Sequence, residues 1–175
     1  MRRLALLSLA LACAKEPAAQ PKAEGRPLFE QWNRVVVRGK RAGFSHWVVK
    51  KTGGGYTLYD STELHLAMMG APKDVVNVLE ARLDTAFRVK GFVFRMRTGD
   101  QRLLEEANVQ GSRIVIQADD GTGHPIVKEY PWEPNAQLPQ TWAIGLALGF
   151  KFPERFLLYD PTTFSIDTAK ASYSD

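Results

Sequence analysis

From residue 29 onward, apolar side chains recur at every second position, and glycine-rich turns break the rhythm every eight to fourteen residues. In "YTLYDSTELHLAMM" (56–69), Leu58, Leu64, Leu66 and Met68 fall on one face, and Thr57, Ser61, Glu63 and His65 on the other. In "DVVNVLEARL" (74–83), Val75, Leu79, Ala81 and Leu83 oppose Val76, Val78, Glu80 and Arg82. "KGFVFRM" (90–96) puts Phe92, Phe94 and Met96 on a single face. Successive strand side chains point to opposite faces, so this period of two belongs to β-strands and excludes a helical bundle. The turns near Gly39, Gly53–Gly55, Gly99, Gly111 and Gly121–Gly123 join neighbouring strands directly, as antiparallel pairs require. The fold class expected is mainly β: a curved antiparallel sheet, a half-barrel or open barrel, of about nine or ten strands. One face should be dry and the other wet.

"VVVRGKRAGFSHWVV" (35–49) tests this rule. Its basic centre is a candidate anion grip, but a phosphate loop needs a helix after its glycines to supply free N–H groups. A strand pattern follows instead, so "RGKRAG" reads as a hairpin turn with Gly39 free to take a positive φ. The rhythm breaks at "YPWEPNAQLP", where Pro131, Pro134 and Pro139 exclude a central strand. "QTWAIGLALGF" (140–150) is apolar almost all round and too short to span a membrane. It is expected to be one short helix packed on the sheet. Strand patterns return at "RFLLYD" and "FSIDTAKASY".

The first 27 residues have another character. Arg2 and Arg3 precede a nine-residue apolar run, "LALLSLALA", and then Cys13, the chain's one cysteine. Residues 1–12 read as a signal peptide. The box Ala10-Leu11-Ala12-Cys13 resembles a bacterial lipoprotein signal, which implies lipidation of Cys13. An ordinary export signal cleaved after Ala10-x-Ala12, or an apolar helix of the domain, are the alternatives. Residues 13–27, with three prolines and four alanines from Ala14 onward, read as a flexible tether. The chain from 28 to 175 is then a single β domain. The lipoprotein resemblance implies an exported protein, lipid-anchored through Cys13 in the cell envelope. With Ala14 following a lipidated Cys13, the same resemblance implies the periplasmic side of the outer membrane. Removing the signal takes two arginines and lowers the net charge from +4 to +2. That is no nucleic-acid footprint.

Candidate chemistry is sparse. No Gly-x-Ser-x-Gly elbow exists, and one cysteine gives no disulfide or thiolate metal site. The turn at 52–55 sets His46 opposite a residue near 61 and His65 opposite one near 42. These histidines therefore do not meet, and with His124 they show no ligand spacing. Glu105 and Glu106 are adjacent and point to opposite faces. "DDGTG" (119–123) is turn composition, with a calcium loop as the lesser alternative. No catalytic residue, metal or cofactor is expected. The aromatics are either core or the lining of an apolar pocket beneath the helix. The candidate lining is Trp47, Leu66, Met68, Phe92, Phe94, Met96, Trp142 and Leu146.

The order "WNRVVVRGKRAGFSHW", "TELHLAMMG", "LDTAFRVKGFVFRMRTGDQRLLEEANVQGSRIVI", the proline-bounded helix and "YDPTT" resembles the N-terminal β domain of bacterial exported transglutaminase-like proteins. The resemblance spans most of residues 32–164; "KFPERF" departs from it, with Pro153 and Glu154 before the last motif. It implies a non-catalytic envelope domain, accessory to a transglutaminase-like module or another envelope protein. That module's Cys-His-Asp machinery matches no position here. The chain is then either a truncated N-terminal portion or a stand-alone relative. The alternative function is a periplasmic carrier or sensor of an apolar, lipid-like ligand.

Overall fold

The computed structural model describes residues 26–68 and 71–172. Eight strands form one antiparallel sheet in chain order: β1 (Phe29–Val37), β2 (Lys40–Thr52), β3 (Gly55–Met68), β4 (Ala71–Leu83), β5 (Val89–Thr98), β6 (Gln101–Gln110), β7 (Arg113–Asp119) and β8 (Ile126–Pro131). The short helix α1 (Pro139–Ala147) follows, and then a two-stranded sheet of β9 (Arg155–Asp160) and β10 (Ser165–Lys170). The large sheet is curved and not closed, a half-barrel with β1 and β8 at its edges.

The turns do what their residues dictate. Arg38 and Gly39 both take positive φ, 50° and 76°. That is the mirror-image turn whose twist matches a hairpin, so the basic centre of 35–49 reverses the chain. The β2–β3 register pairs His46 with Ser61, as the turn position predicts. Between β4 and β5, Asp84 Oδ1 accepts hydrogen bonds from the Ala86 and Arg88 N–H groups at 2.9 and 3.0 Å. This compact turn holds Phe87 at a φ of 60° and thrusts its ring into the core, fully buried.

The core lies on one face of the sheet. Val49, Leu58, Leu79, Phe92, Phe94, Ile114 and Ile116 project there and meet Phe87, Leu138, Ile144, Phe152, Phe156 and Tyr159. Helix α1 starts at Pro139, where a missing N–H costs nothing. Thr141 Oγ1 accepts from the Leu138 N–H at 2.9 Å and donates to Gln137 Oε1 at 2.8 Å. The helix ends in a Schellman motif. Gly149, at φ 83°, donates to the Leu146 carbonyl, and Phe150 donates to the Gly145 carbonyl. Phe150 then stacks on Phe87 with ring centroids 4.5 Å apart. Gln137 bonds the backbone of β9 on both sides, through Leu157 and Tyr159, and so ties the helix to the last hairpin.

Candidate ligand-binding groove

The face away from α1 is not simply wet. Cross-strand pairing aligns Val48, Tyr59, Glu80, Val93 and Glu106 in one row across β2 to β6. A parallel row holds Lys50, Thr57, Arg82, Gly91 and Asn108. With Trp32, His46 and Ser61 at one side, these rows line an open groove of about 840 Å³. That volume lies within the range of small-molecule sites. Its apolar parts are Trp32, Val48, Tyr59 and Val93; among its polar parts, Glu80, Arg82, Asn108 and His46 are held by neighbours. Glu80 takes an ion pair from Arg95 at 2.7 Å. Arg82 Nη2 donates to Asn108 Oδ1 at 2.5 Å. That reach depends on Gly91, which separates the two in the row. A Cβ there would lie 2.7 Å from the Arg82 guanidinium and 2.6 Å from the Ala107 carbonyl oxygen. At the β1 side, Trp32 stacks on His46 at 3.9 Å, and His46 Nε2 meets Glu30 Oε1 at 2.9 Å.

The candidate lining read from the sequence sits mainly on the opposite face. Phe92 and Phe94 are buried core. Trp47, Met96, Trp142 and Leu146 pack against that core partly buried. Leu66 is half-buried on the same face of β3. Met68 belongs to β3, but its side chain lies outside the described residues, as does Cys13. Of the seven with described side chains, only Phe92 adjoins the groove. Beneath the helix the space is taken by side chains, including a polar cluster. Asp60 accepts from Thr62 and is approached by Gln140 and Trp47. Burial raises its carboxyl above the ordinary range, against those hydrogen bonds. The Trp142 indole N–H and Asn77 Oδ1 nearby have no partner.

Sequence reasoning separated Glu105 from Glu106 but gave no sign of its burial. It faces the core, wholly buried, while Glu106 faces outward. The Tyr159 hydroxyl, also fully buried, donates to Glu105 Oε2 at 2.8 Å, and Oε1 has no partner. Desolvation pushes the Glu105 carboxyl up to about 7; the Tyr159 hydrogen bond and Lys128 oppose this, and Asp160 adds to it. The Tyr159 phenol is raised too, by burial first and by Glu105 second. Among the described residues, no three His, Cys, Asp or Glu side chains are placed to share a metal ion. His65 instead bonds Asp74 through Nδ1 at 2.7 Å on the sheet surface, which raises its affinity for a proton. No helix among the described residues is long and apolar enough to cross a membrane. No family model, curated protein or solved structure matches the chain.

Proposed function

We propose that this chain is a non-catalytic domain of the cell envelope that carries or senses an apolar, lipid-like ligand in the groove across β2 to β6. The observation that carries this reading is the groove itself: Trp32, Val48, Tyr59 and Val93 give it apolar lining, interrupted by Glu80 between Tyr59 and Val93, on a sheet face where solvated residues are the rule. The one strongly perturbed carboxyl among the described residues, Glu105, is sealed on the other side of the sheet, which supports binding over chemistry. The sequence of residues 1–27, which reads as an export signal followed by a tether, supports an envelope location. An accessory role beside a transglutaminase-like module is the second reading. It is favoured by the exposed apolar side chains of Trp32, Val36 and Val37 along the β1 edge, which suit a docked partner.

Titration with the neutral apolar fluorophore N-phenyl-1-naphthylamine tests the first reading. Uptake is expected, with the double variant Val48→Asp, Val93→Asp weakening it at least about tenfold, because each charge desolvated by an apolar ligand costs more than 1.4 kcal/mol. Absence of uptake by the folded wild-type protein would defeat the reading.

A further inference from the structure

Beyond the Glu80–Arg95 pair the same sheet face turns cationic on β5 and β6, while Glu63 and Asp74, on β3 and β4 of that face, are paired with His65. Arg97 on β5 stands directly opposite Arg102 on β6. Directly opposed like charges repel across so short a cross-strand distance. Among the described residues neither guanidinium has a carboxylate in ion-pair range; Arg95 is satisfied by Glu80. The two line a depression of about 390 Å³ together with Val76, Arg95, Leu104 and Asp119. The one acid there, Asp119, already accepts the Gly121 N–H through Oδ1 at 2.7 Å. Arg95 borders this depression and its partner Glu80 borders the groove, so one ion pair marks the boundary between the two. Along β5, Val93 in the groove and Arg97 in the depression are four residues apart, about 13 Å.

From this juxtaposition we infer that the depression between Arg97 and Arg102 binds the anionic head, carboxylate or phosphate, of an amphiphile whose apolar tail occupies the groove. The inference rests on the groove reading above and adds the chemical class of the ligand. Two guanidinium forks present planar donor pairs that match the oxygens of either head. An anion between them removes the repulsion that the bare pair carries.

The test uses palmitate, hexadecyl phosphate and the uncharged methyl palmitate, each displacing N-phenyl-1-naphthylamine from the full chain. Both anions are expected to bind at least about tenfold tighter than the ester, as hydrogen bonds to charged groups warrant, and to weaken as salt is added. The double variant Arg97→Gln, Arg102→Gln should bring the acid-to-ester ratio close to one and leave the neutral fluorophore's affinity unchanged. The relative strength of palmitate and hexadecyl phosphate identifies which head is preferred. Equal binding of acid and ester by the wild type, or a preference that survives in the double variant, overturns the head-group site and leaves the groove standing. Failure of the fluorophore to bind the folded wild type overturns both.

Discussion

Replacing Glu105 with Gln should abolish a pH dependence of stability that the wild-type protein carries. Glu105 is wholly buried, and its folded-state carboxyl titrates near 7 against an ordinary value of 4.5. A raised carboxyl binds its proton more tightly when folded. Stability from this group is therefore greatest below about pH 4.5, declines as the pH rises towards 7, and is flat above. A gap of 2.5 pH units at 1.36 kcal/mol each corresponds to about 3 kcal/mol in all. Between about pH 5 and pH 8 the expected loss is about 2.5 kcal/mol, because a part has already gone at pH 5. Glutamine keeps the shape and the hydrogen bond from the Tyr159 hydroxyl, found at 2.8 Å, without the titration. Urea unfolding at the two pH values, followed by tryptophan fluorescence, reads the difference. Other groups, His65 and Asp60 among them, titrate in both proteins and cancel in the comparison. Parallel stability profiles for the wild type and Glu105→Gln would refute the reasoning, and so would a wild type that gains stability from pH 5 to pH 8 relative to the variant.

The closeness of α1 to the core gives a second expectation. A Cβ on Gly145 would lie 2.5 Å from the Phe152 ring, so Gly145→Ala should lower stability by about 1–3 kcal/mol, despite alanine's better helix propensity, by calorimetry. Phe87 gives a third. Its ring fills the core at a positive φ, so Phe87→Ala should cost about 3–5 kcal/mol in denaturant unfolding. Phe87→Gly should be no worse than alanine, since glycine releases left-handed backbone strain of roughly 1–2 kcal/mol; a glycine variant clearly less stable than the alanine one would contradict this.

The strands were legible because alternation and glycine turns are local signals. Pro139 and the all-apolar run that follows marked the helix, and the turn at 52–55 sufficed to oppose His46 and Ser61. The groove was not legible. Alternation separates a strand's two faces but says nothing about which way the sheet bends. Val48, Tyr59 and Val93 lie on the face that alternation marks as wet, yet each is half-buried. The burial of Glu105 was hidden for another reason. Its position opposite Glu106 was readable, but Tyr159 comes from 54 residues away, and nothing local announces that the last hairpin covers it. The arginine pair is likewise a product of register: Arg97 and Arg102 flank the turn at Gly99, and only the exact pairing across it sets them face to face.

Every pairing in the eight-stranded sheet joins strands adjacent in the chain. Such a meander needs no late segment to complete an early one, so each hairpin can zip onto its predecessor in chain order, at low loop-closure cost. The helix and final hairpin then arrive as a latch over a sheet whose strand pairing is already complete. Until they dock, the greasy side of that sheet faces water, and this half-latched species is the one exposed to aggregation and to capture by a chaperone.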